Sequence, residues 1–356
     1  MKLLIPGPVE VRDEILQVMS EQLISHRSIE ASNIQINIEK NMKKIWNTEN
    51  DILLSTSSGT GLMEAAIKSC TLKKAAVFSV GGFGDKWYEL AIANGIDTDI
   101  YRAEAGEPTT KEVLKEALDK GIYDVITITH NETSTGVQNN LEELSEVYKN
   151  YDVIVLVDTV SSAGGAHIDV DKNGIDIAIT STQKCLGLPP GMAFCTLSER
   201  ARDRAEQVPN RGGYLDILNL YKFMKASHQY PSTPNVSLMR ATEAQLDYIV
   251  NVEGVENRIN RHQTMAKMVR DWAKDHGGIF ANEEYLSDTL TTIKIKDESV
   301  FKILSEEMKN RGYILGSGYG NLATTNFRLA HMADRSLEEM QVVLDILSEI
   351  WDEKIK

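Results

Sequence analysis

The chain reads as an α/β protein in which a large unit with a mainly parallel central sheet precedes a small C-terminal α+β unit. Two observations carry this reading. Between residues 52 and 197, short apolar runs of strand length alternate with stretches of helical period, as in βαβ units with helices on both faces of a sheet. Beyond about Asn251 the pattern changes to a long helical stretch, a Gly277-Gly278 break, and then strands and helices in close order. Length agrees, because 356 residues with 42% hydrophobic content can bury a large core and suggest about two domains. The division falls at 1–250 and 251–356, along a helix rather than in a flexible tether.

Residues 3–9, LLIPGPV, set two prolines around a glycine and form an extended arm with a turn. Helical spacing follows over 11–23, and after Ser25-His26-Arg27-Ser28 an amphipathic helix ends near Trp46. A short strand at 52–55 leads through Ser57-Ser58-Gly59-Thr60-Gly61 into the helical run LMEAAIKSC. Further strands lie at 75–80, 97–101 and 125–129, with a helix at 109–120. Residues 153–157 form a continuous apolar run ending in Asp158, as expected of a strand buried on both faces. The run 175–179 leads through Thr180 to Gln183 to Lys184, and Gly187-Leu188-Pro189-Pro190-Gly191 breaks the chain. The next strand is 192–197, with a helix from Ser198. In the second unit, strands at 289–295 and 325–329 alternate with helices at 299–311 and 336–351.

A net charge of −14 with no block of lysine or arginine opposes binding to nucleic acid or anionic lipid. No apolar run approaches the roughly 20 residues of a membrane span, and residues 1–8 are too short for a signal peptide. Cys70, Cys185 and Cys195 have neither disulfide-like nor metal-like spacing, which suits a reducing compartment. The expectation is a cytoplasmic protein without a structural metal.

Asp158 and Lys184 fall at neighbouring strand ends, on the edge where open α/β sheets keep their ligands. Pyridoxal phosphate needs such a pair, a lysine to hold its aldehyde as a Schiff base and a carboxylate to keep its ring nitrogen protonated. Singly, each residue reads as a strand-end cap or a solvated amine. What matters is the ordered run VDTVSSAGG, GIDIAITSTQK and PPG, with a Gly-rich turn upstream that opens a helix and so suits a phosphate. This order resembles the class V aminotransferases, of the alanine–glyoxylate and serine–pyruvate type within the fold type I pyridoxal phosphate enzymes. The resemblance extends from Pro6-Gly7-Pro8 to Arg328.

The resemblance implies a transaminase with pyridoxal 5'-phosphate on Lys184 and Asp158 facing the ring nitrogen. The SGxxxxEAA-like segment gives Ser58, Gly59 and Thr60 to the phosphate, with Gln183 as a further ligand. Phe83, in GGFGDKW, would stack on the ring, Val160 would close its other face, and Trp87 would be core. Thr133, in HNETSTG, would hydrogen-bond near the ring hydroxyl or phosphate. Tyr230 and Thr233 would reach the phosphate of a neighbouring subunit, making a homodimer with shared sites. Gly7 and Arg328 would bind substrate, Arg328 taking the α-carboxylate where a structural salt bridge is the ordinary alternative. Cys185 is expected to be a small buried hydrophobe rather than a nucleophile.

The implied reaction moves an amino group from alanine or serine to a 2-oxo acid such as glyoxylate or pyruvate. The alternatives are a phosphoserine- or aspartate-type aminotransferase of the same family, and a pyridoxal phosphate lyase or desulfurase. Desulfurases typically carry histidine where Gln183 stands. The His26-Arg27-Ser28 segment resembles one that binds substrate phosphate in phosphoserine aminotransferases; here Arg27 is expected to pack at an interface instead.

Overall fold

The structure, a computed structural model, describes residues 1–356. It begins with β1 (Lys2–Leu4), α1 (Asp13–Met19) and α2 (Ile29–Trp46). The backbone is still extended at Arg12 and α1 stops at Ser20, so the helix fills only the middle of the helical spacing over 11–23. Ser28 caps α2 by accepting from the Ala31 amide.

The βα alternation follows as β2 (Asp51–Ser55), α3 (Gly59–Cys70), β3 (Ala75–Ser79), α4 (Gly82–Ala93), β4 (Thr98–Arg102), α5 (Lys111–Leu118), β5 (Val125–Thr129), α6 (Leu141–Tyr148), β6 (Ile154–Asp158), α7 (Val170–Asn173), β7 (Ile177–Ser181), β8 (Ala193–Leu197) and α8 (Glu199–Gln207). The strands form a seven-stranded sheet in the order β2-β8-β7-β6-β5-β3-β4. Every residue of β5, β6 and β7 is buried, and β6 accordingly reads as a continuous apolar run up to Asp158. β8 runs antiparallel to both β2 and β7. The turn through Pro189-Pro190-Gly191 is too short for the crossover that a parallel pair requires.

The chain continues through α9 (Ile217–Ser227), α10 (Val236–Asp247), a π-helical turn (Tyr248–Glu253) and α11 (Val255–His276). It then builds β9 (Leu290–Lys294), α12 (Glu298–Asn310), β10 (Tyr313–Ser317), β11 (Asn326–Ala330) and α13 (Leu337–Lys354). These strands form a second sheet in the order β1-β10-β11-β9. β1 pairs in parallel with β10, Lys2 opposite Tyr313, so the arm grouped by sequence with residues 1–250 supplies the edge strand of the other sheet. The sheets have separate cores, of 61 and 20 buried residues. No helix is long and apolar enough to cross a membrane.

Two contacts fix the second sheet against the first near the carboxyl strand ends. The Thr289 hydroxyl, at the entry to β9, donates to the Ser161 carbonyl at 2.8 Å and accepts from Asn131 Nδ2 at 3.1 Å. From α11, the fully buried Arg258 reaches Glu253 at 2.6 Å and Asp334 at 2.7 Å, and donates to the Cys185 carbonyl at 2.8 Å. Removing one partner of such a buried group leaves the others uncompensated. Arg258→Met should lower the urea midpoint by an amount equivalent to roughly 3–5 kcal/mol. An unchanged midpoint would contradict this account of the junction.

Candidate active site

Asp158 ends β6 opposite Thr129 of β5 and Ile179 of β7. Its carboxylate is buried, and the one hydrogen bond it accepts is from the Val160 amide at 2.8 Å. Burial pushes its pKa up to about 7; the nearby Glu132 charge adds to this, and Val160 and Lys184 oppose it. It is therefore an acid lacking a cation. Lys184 lies beyond the end of β7, and its Nζ donates to the Pro6 carbonyl. Burial lowers its pKa to about 8, with Arg328 contributing in the same direction. Gly7 lies against this side chain: a Cβ there would fall 2.6 Å from Nζ. The arm thus covers the lysine.

At the start of α3, the Ser58 side chain makes no capping bond, which leaves amide donors of the first turn for an anion. Ser58 and Thr60 are exposed, and Gly59 is buried. A Cβ at Gly59 would come within 2.7 Å of Val160 Cγ2, so the glycine admits the Val160 side chain. Ser181 Oγ, which would lie 3.4 Å from that Cβ, is buried without a partner, as is Thr56 Oγ1 just upstream. Gln183 is half-buried. Unpaired hydroxyls beside free amides suit a phosphate, and a buried acid lacking a cation suits a protonated ring nitrogen. These residues fit pyridoxal phosphate.

Phe83 is half-buried in the first turn of α4, a turn held by a residue to which the sequence reading gave no role. The fully buried Glu132 carboxylate accepts from the Phe83 and Gly84 amides at 3.0 Å each and from the Ser134 hydroxyl at 2.6 Å. It thereby caps α4 and seats Phe83. Its position in HNETSTG, beside Thr133, was the available clue. Burial raises its pKa despite these donors. Thr133 donates its hydroxyl to Ser161 Oγ at 3.0 Å, and its carbonyl accepts from Arg328 Nη1 at 3.1 Å. Trp87 is core, as expected. Cys185 is buried with its thiol pushed up to about 12 by burial, which leaves it inert.

Arg328 of β11 pairs with no carboxylate. Its other partner is the Ser317 carbonyl, 2.8 Å from Nε, so the structural salt bridge is absent and its charge is unmatched. Arg27 is exposed and donates to the Tyr230 carbonyl at 2.7 Å and the Pro231 carbonyl at 2.9 Å. Tyr230 is 3% exposed and edge-on to Tyr214 at 6.5 Å, and its hydroxyl has no hydrogen-bond partner within the chain. Only Thr233 of the pair is exposed.

The raised pKa of Asp158 has a measurable consequence in the cofactor-free protein. The unfolded chain loses this proton near the usual value of about 3.9, while the folded chain keeps it up to about 7. The folded state therefore binds more protons in that window, and its stability falls as pH rises. Asp158→Asn should gain stability relative to the parent between about pH 4 and about pH 7 and hold that gain above it, as read by thermal denaturation against pH. A difference independent of pH would show that Asp158 titrates normally.

Comparison with known proteins identifies the family. The family model described as "Aminotransferase class-V" matches residues 12–306. An uncharacterised aminotransferase of Methanocaldococcus jannaschii is 38% identical over 341 residues, spanning 93% of this chain and 87% of that protein. The crystal structure of an alanine–glyoxylate aminotransferase from Nostoc sp. superposes with a TM-score of 0.91 at 29% identity, covering 98% of this chain and 94% of that one. An aspartate aminotransferase of subgroup IV from Thermus thermophilus gives 0.91 at 25% identity, covering 99% of each chain. With its α/β architecture and mostly parallel central sheet, the chain belongs to the class V aminotransferases and is a pyridoxal phosphate-dependent transaminase.

Proposed function

We propose that this transaminase moves the amino group of a small amino acid, alanine or serine, to a 2-oxo acid such as glyoxylate or pyruvate. The observation that carries the reading is the contrast between two arginines. Neither pairs with a carboxylate, but Arg328 is half-buried, bonded to the Thr133 carbonyl and close enough to Lys184 to lower its pKa, whereas Arg27, the candidate for an acidic side chain, is exposed and bonded to the Tyr230 and Pro231 carbonyls. The Nostoc relative's name supports glyoxylate as acceptor.

Pyridoxal 5'-phosphate, bound at Lys184, supplies the electron sink for the charge that develops at the substrate α-carbon. The residues around it have separable tasks. Asp158 would hold the proton on the ring nitrogen, and Phe83 and Val160 would bear on the ring. The first turn of α3, with Ser58, Gly59 and Thr60, would take the phosphate, joined by Gln183, and the Thr133 hydroxyl would serve the ring hydroxyl or phosphate. Arg328 grips the α-carboxylate through paired N–H donors and so fixes which bond at the α-carbon stands across the ring plane. With its pKa lowered to about 8, Lys184 is partly neutral near pH 7 and can take the α-proton at Nζ and return it to a neighbouring carbon. Gly7 and the arm close over Nζ.

A homodimer is part of the proposal: Thr233 and the exposed Leu23 and Ile29 suit contact with a second copy. So is the division into two units near residue 250, with the 2–4 strand transferred to the second. Three buried, unpaired cysteines suit a cytoplasmic setting.

Lys184→Ala should lose the yellow of the lysine-bound cofactor and on the order of 10³-fold or more in kcat, because a positioned general base is removed. Substantial turnover in this variant would overturn the assignment. Across a donor panel with glyoxylate, the parent should favour alanine and serine, and Arg27→Ala should leave their ratio to aspartate and phosphoserine nearly unchanged. A parent preferring an acidic side chain, and losing that preference in Arg27→Ala, would establish the alternative.

A further inference from the structure

The turn between β10 and β11 carries an aromatic residue across to the first sheet. Tyr319 lies on the bare face of Gly82, where a Cβ would meet its Cε1 at 2.6 Å. Its ring centroid is 5.6 Å from that of Phe83, with a tilt of 34°. The Arg328 guanidinium carbon lies 5.5 Å from the same centroid. Tyr319 is 41% exposed and belongs to neither hydrophobic core, so neither core requires the ring.

The turn is built to hold the ring there. A Cβ at Gly318 would fall 2.2 Å from the Leu322 carbonyl oxygen, so only glycine lets the turn close. The Gly318 amide donates to Asn326 O at 3.0 Å, and the Leu322 amide to Tyr319 O at 3.0 Å. Arg328 is then held on several sides. The Ser317 carbonyl takes Nε and the Thr133 carbonyl takes Nη1, while the Tyr319 ring approaches the guanidinium at cation–π distance. Nη2 is left without a partner.

We infer that Tyr319 is a positioning residue: its ring holds the Arg328 guanidinium for the substrate carboxylate and walls that end of the site beside Phe83. The inference rests on the reading of Arg328 as the carboxylate site. Because the contact is between the ring and a cation, the hydroxyl is dispensable. Since the ring occupies the Gly82 notch, a methyl group at Gly82 should dislodge it as effectively as truncating Tyr319 does.

The test uses the pyridoxal-form holoenzyme, with pyruvate binding measured by calorimetry alongside KM and kcat for the amino donor. Tyr319→Ala should weaken pyruvate and raise KM by roughly ten-fold, the scale of a partly desolvated cation–π contact, while kcat changes less than about three-fold. Tyr319→Phe should stay within about two-fold of the parent. Gly82→Ala should resemble Tyr319→Ala and add little to it in the double variant, because both remove one contact. Unchanged pyruvate affinity in Tyr319→Ala, equal losses in Tyr319→Phe, or additive effects with Gly82→Ala would each overturn the inference. A parent that binds pyruvate but transaminates nothing would refute the proposed function, while the binding series would still decide Tyr319. A parent that binds no pyruvate would overturn both.

Discussion

A carboxylate buried without a cation is the constraint around which this structure is arranged. Asp158 sits at the end of a strand covered on both faces, and a single amide is its hydrogen-bonding partner. In such a setting the ionised form is costly unless a positive group faces it. The amide that does serve it belongs to Val160, whose side chain fits the space that Gly59 leaves at the start of α3. One short turn therefore fixes the acid, the apolar wall beside it and the approach to the anion-binding turn. Strand register sets their relation to Lys184.

The second sheet completes the site rather than merely following it. Arg328 comes from β11, yet one of its two hydrogen bonds goes to the Thr133 carbonyl on the first sheet. Arg258 comes from α11 and grips the carbonyl of the residue after Lys184. The arm returns from β1, at the edge of the second sheet, to cover Lys184 through Pro6 and Gly7. Cation, lysine and cover are thus tied across one seam, and relative movement of the two sheets would disturb all of them together.

Much of this was legible in the sequence because the informative residues sit where strand periodicity ends. The continuous apolar runs before Asp158 and Lys184 located both strands, and the ordered motifs located the turn at Ser58–Thr60, Phe83 and Thr133. Other features are set by pairing, which a single sequence does not display. An apolar run carries no direction, so the antiparallel β8 was hidden, and β1 becomes a strand only because it finds β10. Glu132 stands in a polar loop like any solvated acid; its burial depends on the helix it caps. The hold that Arg27 has on the Tyr230 and Pro231 carbonyls joins residues some two hundred apart in sequence, which no local pattern displays.

The central claim is that one lysine, delivered by β7 beside a buried acid, carries the cofactor. Borohydride reduction of the protein saturated with pyridoxal phosphate, followed by peptide mass mapping, addresses it directly. The account predicts a single phosphopyridoxyl group, on Lys184. Its appearance on another lysine, or on several in proportion to their exposure, would contradict the account.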